Sequence, residues 1–313
     1  MTMEFRSNSL SPEVLKNLGI KSSMTLGENF RVLNRVPNTE FLASEGVGLS
    51  TLCFPGLSPV GDEKPFAVLD TETTGFSAEN SSIIELGIIK GSYSPSEKRI
   101  TSLSKSLCML EDPGHSLPDI ITEVTGITDT DLKDQSIDDS AVESFLSDVE
   151  LIIAHNARFD RGFFEKRFPS LKRKIWACSS KGGDINWKQS GFKSAALDSL
   201  LLEFGYFFDG HRASVDCMAT TWLLLVAQDK FAELLESVEQ SRYRLKAIHA
   251  PFEVKDILKG RGYKWDADDR VWHTTLVGKD KLDEELTAID NLYPGGAQVA
   301  QVIEESIYLR HCA

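Results

Sequence analysis

Asp70 and Glu72 stand two residues apart, directly after the apolar run Phe66–Leu69. Because a β-strand directs residues i and i+2 to the same face, this spacing predicts that both carboxylates share one site at a strand end. Carboxylate oxygens are the ligands that Mg²⁺ and Mn²⁺ prefer. The pair therefore fits a metal site, but on its own such a pair is more often two solvated carboxylates.

Two further segments combine an acidic residue with a histidine. His155–Asp160 follows the predicted strand Leu151–Ala154 and places Asp160 in the first turn of a helix. His211 precedes Asp216 by five residues, and a loop histidine titrates near neutral pH, so that it can accept a proton from water. Ordinary alternatives exist, because a first-turn Asp stabilises a helix by about 0.3–1 kcal/mol and a loop histidine can simply be exposed.

Taken together, the three segments resemble a known family. Asp70–Gly75, His155–Asp160 and His211–Asp216 are similar to the three motifs of the DEDDh exonucleases, the DnaQ-like relatives of the DNA polymerase III epsilon subunit. Val124–Thr128 also matches the Thr-Gly-Ile segment that this family carries between its first two motifs. The resemblance covers about residues 65–228 and implies a ribonuclease H-like fold.

The resemblance implies a role for each motif residue. Four carboxylates would bind two divalent metal ions, Mg²⁺ or Mn²⁺, about 3.5–4 Å apart across the scissile phosphate: Asp70, Glu72, Asp160 and Asp216. His211 would act as the general base. The expected reaction is 3′→5′ hydrolysis that releases nucleoside 5′-monophosphates from single-stranded DNA or RNA.

The resemblance also suggests contacts with the terminal nucleotide. Phe76, which follows Gly75, is expected to stack on the terminal base, although a loop residue folded onto the core is an alternative. Asn156 and the backbone of Thr73 are expected to touch the same nucleotide. His155 is expected to be structural.

The elements that must position these residues form an α/β pattern. Short apolar or β-branched runs predict five strands: Phe66–Leu69, Ile83–Ile89, Arg99–Leu107, Leu151–Ala154 and Ile175–Cys178. Amphipathic runs predict four helices: Asp138–Val149, Arg158–Phe168, Ala195–Phe204 and Ser214–Val226. Three strands followed by alternating helices and strands indicate a mixed five-stranded sheet flanked by helices.

Composition shifts divide the chain into further parts. Residues 1–64 form an N-terminal extension of unknown role with a possible helix at Ser11–Leu18, and Gly56–Pro65 is typical of a linker. Residues 65–228 are the predicted exonuclease domain, and residues 229–243 a polar connecting helix. A small α+β module at 244–293 and a tail at 294–313 follow.

The small module carries aromatic and basic residues side by side. A helix is expected to start near Ala250, a hairpin to flank the acidic turn Asp266–Arg270, and Asp280–Leu292 to form a closing helix. Tyr263, Trp265 and Trp272 with their basic neighbours could stack bases and pair phosphates. The alternative is that these aromatic side chains form the hydrophobic core that a small domain needs. The two interpretations are compatible if some of the rings lie on the inner face of the module and others on its outer face.

The charge balance limits the possible partners. The formal charge of −13 disfavours a polyanion as a partner. Two segments are nevertheless basic: residues 156–193 contain ten basic and three acidic residues, and residues 242–265 contain seven basic and two acidic residues. Such segments suit phosphate contacts, although solvated helix faces explain them as well.

Five scattered cysteines form no Cys-x-x-Cys pair, no apolar run is long enough for a bilayer and no secretory signal is visible, so a cytoplasmic protein is expected.

Two other functions on the same fold remain open from the sequence. One is a nucleic-acid-binding module that has lost catalysis, which the five intact motif residues disfavour. The other is a subunit that proofreads only when bound to a polymerase, which would be a separate chain because no polymerase motif occurs here. The sequence does not decide between DNA and RNA or between monomer and dimer.

Overall fold

The computed structural model describes residues 32–37, 48–51, 54, 57–180 and 183–312. The possible helix Ser11–Leu18 lies outside the described residues. The strands are β1 (Asn34–Arg35), β2 (Lys64–Thr73), β3 (Ile83–Ser94), β4 (Arg99–Leu110), β5 (Leu151–Ala154), β6 (Ile175–Cys178), β7 (Tyr206–Phe207), β8 (Arg242–Ala247), β9 (Lys264–Asp266), β10 (Val271–Val277) and β11 (Gln301–Glu305). The α-helices are α1 (Asp119–Thr125), α2 (Asp129–Leu132), α3 (Asp139–Phe145), α4 (Ala157–Arg167), α5 (Leu197–Glu203), α6 (Ala213–Val226), α7 (Gln228–Glu239), α8 (Lys255–Gly260), α9 (Lys279–Leu292) and α10 (Gly296–Val299).

A five-stranded sheet forms the centre of the larger region, in the order β4-β3-β2-β5-β6. β3 is antiparallel to β2 and β4, whereas β5 and β6 run parallel to β2. Helices α4, α6 and α7 cover its faces, so the mixed sheet and its ribonuclease H-like arrangement are confirmed. The short parallel pair β1–β7 stands apart from this sheet.

The central strand β2 is longer than the sequence predicted. Its pairing with β3 continues past Leu69, through Asp70↔Gly87 and Glu72↔Glu85, and becomes irregular only at Thr73. The predicted end at Leu69 was wrong because polar side chains do not interrupt backbone hydrogen bonds, and β2 stays paired with β3 after its pairing with β5 has ended at Val68. The predicted linker Gly56–Pro65 overlaps the strand by two residues, because β2 begins at Lys64.

The alternation of β2 decides which helix meets which side chain. Phe66 and Val68 pack in one core cluster with α6 and α7, while Ala67 and Leu69 pack in another with α4. Continuing the alternation, Asp70 and Glu72 share the α6 side, and Thr71 turns to the α4 side.

A second sheet of four antiparallel strands, in the order β11-β8-β10-β9, forms the C-terminal module. The hairpin β9–β10 and the closing helix α9 lie where they were expected. The connecting helix, expected to reach residue 243, ends at Glu239, because Arg242–Ala247 forms β8. The expected tail contributes β11, so the module's sheet extends beyond residue 293.

The end of the chain returns to the larger region. Arg161 of α4 donates hydrogen bonds to the carbonyl oxygens of Tyr308 and Arg310. Arg310 in turn donates to the carbonyl oxygen of Val238 at 2.9 Å, and His311 Nε2 lies 2.8 Å from the buried carboxylate of Asp184. These contacts tie the module to the helices behind the first sheet.

Among the described residues, every helix is too short or too polar to span a bilayer.

Candidate active site

Three carboxylates meet at the end of β2. One oxygen from each of Asp70, Glu72 and Asp216 can be chosen so that all three lie within 4.8 Å of one another. Asp70 and Glu72 come from β2, and Asp216 from the first turn of α6. All three side chains are partly exposed, so the cluster is open to solvent and to ligands.

Gly87 explains why α6 can begin so close to the sheet. A Cβ atom at this position of β3 would lie 2.4 Å from the carbonyl oxygen of Ala213, the first residue of α6. A larger residue would therefore push the helix, and Asp216 with it, away from β2. Asp216 is held further by the Arg212 backbone N–H, which donates to its carboxylate at 3.2 Å.

Glu85 is a part of the site that the sequence did not reveal. It lies opposite Glu72 in the β2–β3 pair and is fully buried. Its carboxylate accepts hydrogen bonds from the Arg212 guanidinium at 2.8–3.2 Å and from the Ala213 backbone N–H at 2.8 Å. Glu85 thus fixes the start of α6, but no local pattern could have shown a contact across 127 residues.

Asp160 stands slightly apart from the other three acids. It is buried in the first turn of α4, where its Oδ1 accepts hydrogen bonds from the backbone N–H of Thr71 at 3.0 Å and from the Thr71 hydroxyl at 2.9 Å. The structure thus groups three of the four expected ligands and places the fourth against the adjoining residue of β2. The charge of Asp160 nevertheless adds to the effect of burial in raising the pKa of Asp70.

The electrostatics of the cluster are unfavourable without a counter-charge. Burial and then the neighbouring carboxylates raise the pKa of Asp70 well above its usual range. Burial and the charges of Asp216 and Glu85 raise the pKa of Glu72 to about 8. Burial also raises the pKa values of Asp160 and Asp216. A donor set made of carboxylate oxygens, held this close, fits a hard divalent cation, which would remove the repulsion.

His211 lies at the mouth of the cluster. It is exposed on the loop that precedes α6 and adopts a left-handed backbone conformation, with φ of +69°. Its charge helps to lower the pKa of Asp216 against the effect of burial. The structure therefore puts an imidazole beside the acidic cluster but in contact with solvent.

The loop after β2 presents Phe76 to solvent. Its side chain is 93% exposed, so it is not folded onto the core. The Thr73 hydroxyl donates to the carbonyl oxygen of Gly75 at 2.6 Å, which tightens the turn. Lys166 of α4 donates to loop carbonyls, including that of Glu79 at 3.1 Å, and so holds the loop in place.

The two residues before α4 differ in environment. Asn156 is exposed and has φ of +88°, a conformation that few side chains tolerate. The His155 ring is enclosed, with Nδ1 2.9 Å from Ser179 Oγ and Nε2 2.9 Å from the Ala195 carbonyl oxygen. Burial lowers the pKa of His155 to about 4. These contacts agree with a structural role for His155.

A large cavity opens beside Asn156. Its volume is about 1040 Å³, and its lining combines aromatic and basic side chains, among them Trp187, Phe192, Lys188 and Lys193. These lysines belong to the basic segment 156–193. The cavity thus begins at the residues just before α4 and carries lysines that can pair with phosphate groups.

The comparisons with known proteins agree with this site. A model of the RNase_T family, described as an exonuclease, matches residues 67–224, about half of the chain. The matched range contains every motif residue named above.

Curated relatives are PolC-type DNA polymerase III proteins. One from Clostridium perfringens is 33% identical over 175 residues, which is 55% of this chain and 12% of the relative. One from Caldanaerobacter subterraneus is 25% identical over 248 residues, 77% of this chain and 16% of the relative. The chain therefore spans less than a fifth of the length of these relatives.

Among solved structures, E. coli exonuclease I in complex with a dA16 oligonucleotide is similar at 12% identity and a TM-score of 0.45. The match covers 75% of this chain and 69% of that protein.

Proposed function

The chain belongs to the exonuclease family whose model spans residues 67–224, and on this premise we propose that it is a metal-dependent 3′→5′ exonuclease of the DEDDh type. The observation that carries the proposal is the cluster of Asp70, Glu72 and Asp216, whose carboxylate oxygens lie within 4.8 Å of one another. Such a cluster does not stabilise the fold, because its like charges repel one another. The raised pKa values of these carboxylates are typical of a site that binds cations.

Each residue of the cluster has a distinct part in the proposal. Asp70, Glu72 and Asp216, with Asp160 beside them, would hold two ions, Mg²⁺ or Mn²⁺. When bound, such ions supply an activated water and stabilise negative charge at the scissile phosphate. Asp160 is the ligand whose position depends on Thr71, since its Oδ1 is already engaged there.

His211 is the proposed general base. Its exposed loop position lets the imidazole approach a water at the edge of the cluster and take its proton to solvent. The Glu85–Arg212 pair acts only through position, because it fixes the first residues of α6 and with them both His211 and Asp216.

The proposed substrate is a single-stranded 3′ end of DNA or RNA. Phe76, exposed at the loop tip, would stack on the terminal base, and Asn156 with the backbone of Thr73 and Gly75 would contact the terminal nucleotide. The adjacent cavity with Lys188 would take the following phosphates. The products are nucleoside 5′-monophosphates.

A second candidate rests on the names of the curated relatives. Because they are DNA polymerase III proteins, we propose as an alternative that this chain proofreads in the company of a separate polymerase. Efficient removal of a mismatched primer end by the isolated chain would exclude dependence on a polymerase.

We propose the reducing cytoplasm as the compartment of this protein. Free thiols are typical of that compartment, and the structure shows four of them, at Cys108, Cys178, Cys217 and Cys312.

A digestion panel tests the proposed function. Single-stranded DNA, single-stranded RNA and a primer with a mismatched 3′ end, each blocked at either the 3′ or the 5′ terminus, are incubated with Mg²⁺, Mn²⁺ or EDTA. We expect stepwise shortening that stops with a 3′ block and with EDTA, and 5′-mononucleotides by mass spectrometry. Activity that persists in EDTA would refute the metal site, and shortening of 3′-blocked strands would refute the polarity.

A further inference from the structure

Exposed aromatic side chains gather on one surface of the C-terminal module. We define the aromatic–lysine surface by Phe252, Lys255, Lys259, Trp265 and Trp272. Phe252 is 73% exposed and Trp265 is 51% exposed, which is unusual for side chains of this size. The surface lies outside the active site described above.

Contacts join these residues in two groups, which α8 links because Lys255 and Lys259 stand one helical turn apart on it. In the first group, the Lys255 ammonium lies 3.8 Å from the centre of the Phe252 ring. In the second, Lys259 lies 5.9 Å from the Trp272 ring centre, and the rings of Trp265 and Trp272 have centres 5.4 Å apart. Each group thus places a lysine ammonium beside an aromatic ring.

The core of the module does not need the exposed rings. Tyr263, only 4% exposed, and Tyr293 are buried among Leu245, Leu258 and Ile289 between the sheet and the helices. Of the three aromatics that the sequence singled out, Tyr263 is therefore core, whereas Trp265 faces outward and Trp272 lies between the two. The core interpretation is thus confirmed for Tyr263, whereas base stacking stays a prediction for the exposed rings.

The charge of the patch suits a polyanion. Its two lysines belong to the segment 242–265, which contains seven basic and two acidic residues. Acidic neighbours are present on the same helix, but Lys259 and Asp256 are both exposed and 3.9 Å apart, a separation that binds either group weakly. Lys264, next to Trp265, is exposed as well and adds a further positive charge.

We propose that the aromatic–lysine surface binds single-stranded nucleic acid, with bases stacked on Trp265 and Phe252 and phosphates paired with Lys255 and Lys259. Single strands fit because their bases are free to stack, and stacking on aromatic rings is tolerant of sequence. The inference rests on the proposed function, for it gives the exonuclease a second contact with its substrate strand away from the site of cleavage.

The test measures binding without hydrolysis, so that it does not depend on the outcome of the digestion panel. Full-length protein carrying Asp70→Asn is titrated into fluorescently labelled 20-nucleotide single-stranded DNA and RNA and into labelled duplex DNA, and fluorescence anisotropy is recorded, a signal that does not depend on Trp265. We expect binding of both single strands and weaker binding of the duplex. Trp265→Ala and Phe252→Ala should each weaken binding about tenfold, the scale of one lost base stack.

The lysines are tested by charge reversal with a matched control. Lys255→Glu with Lys259→Glu should weaken binding and reduce the slope of log affinity against log salt by about 1.4, since each phosphate contact contributes about 0.7. Lys279→Glu with Lys281→Glu changes the charge of the module equally on a different helix and should leave binding and slope unchanged. Each variant's unfolding temperature is compared with the parent's.

Several results would overturn the proposal. One is failure of the parent to bind either single strand; another is unchanged affinity when Phe252→Ala and Trp265→Ala are combined. Equal weakening by the Lys279/Lys281 control would show a general charge effect. Trp265→Phe, which keeps a ring at this position, should retain most of the affinity; a loss as large as that of the alanine variant would also contradict stacking.

Discussion

The two sheets of the molecule carry their chemistry in different ways. The five-stranded sheet holds Asp70, Glu72 and Asp216 together at the end of its central strand, where burial and mutual repulsion raise their pKa values. The four-stranded sheet instead supports Phe252 and Trp265 on its outside, exposed and next to lysines. In the first region the proposed function works against stability, whereas in the second the side chains proposed to bind nucleic acid are separate from the core.

This difference has a general reason. A site that binds cations must assemble like charges, and only a rigid frame of buried strands and helices keeps them together. A surface that stacks bases needs only exposed rings and a solvated ammonium group, which a small module can offer without disturbing its interior. The two regions should therefore respond differently to substitution, to pH and to metal.

The largest effect is expected for Asp70→Asn. The variant should lose activity by about a thousandfold, because several kcal/mol of transition-state stabilisation depend on the metal ligands. In the absence of metal the same variant should unfold at a higher temperature than the parent, since one repelling charge is gone. Asp119→Asn, at an exposed acid in α1, serves as the control. Equal or lower stability of the metal-free Asp70→Asn protein would break the comparison between the two regions.

His211→Asn should have the next largest effect. We expect the turnover rate to fall about a hundredfold, as is usual when a general base is removed, with metal affinity by calorimetry nearly unchanged. His249→Asn is a matched control, because His249 is also exposed and also has a positive φ, of +56°. Asparagine tolerates that backbone region, so strain does not obscure the result. Turnover near the parent value would remove His211 from the mechanism.

The pH dependence of metal-free stability distinguishes the two regions further. The pKa of Glu72 is raised to about 8 in the folded chain from an ordinary 4.5, so between these values the folded state holds a proton that the unfolded state has lost. Stability must then fall as pH rises, by about 1–2 kcal/mol between pH 6.5 and 8. His155, whose pKa is lowered from 6.5 to about 4, makes stability rise with pH mainly between these two values, below most of this window.

Chemical denaturation of the metal-free protein at pH 6.5 and pH 8 measures this change. Added Mg²⁺ should abolish the fall, because a bound cation favours the ionised carboxylates. Glu72→Gln should show a shallower dependence than the parent. A stability that rises over this range without metal would contradict the electrostatics of the cluster.

The smallest effect is expected in the module. Phe252→Ala should change the free energy of unfolding by less than about 0.5 kcal/mol, as for other exposed positions. Tyr263→Ala, at a buried ring of the same module, should lower it by about 3 kcal/mol. Similar losses for both variants, measured by urea unfolding, would mean that the exposed rings belong to the core.

The sequence predicted those parts of the molecule that local patterns encode. The five strands of the first sheet and the hairpin β9–β10 follow from short runs of alternating or apolar residues. The motif residues were proposed instead from their order and spacing, through the resemblance to a family. The strand β8 was missed although Tyr243, Leu245 and Ala247 alternate with basic residues, because the predicted helix was extended to residue 243 and the residues after it were given no element.

The parts that were not predicted depend on contacts between distant residues. Glu85 meets Arg212 across 127 residues, and β11 pairs with β8 although the hairpin β9–β10 and three α-helices lie between them in the chain. The bonds from Thr71 to Asp160 follow from the alternation of β2, but only once it is known that the strand extends beyond Leu69. Patterns within a segment contain no information about such partners.

The return of the chain end to α4 bears on how the protein is made. Arg161, next to Asp160, bonds carbonyl groups that lie 147 and 149 residues later, in Tyr308 and Arg310. During synthesis on a ribosome its buried guanidinium lacks these acceptors until residues 308–310 have been translated and have emerged. The larger region is encoded before the module, yet its helix α4 makes these hydrogen bonds only after the whole module has emerged.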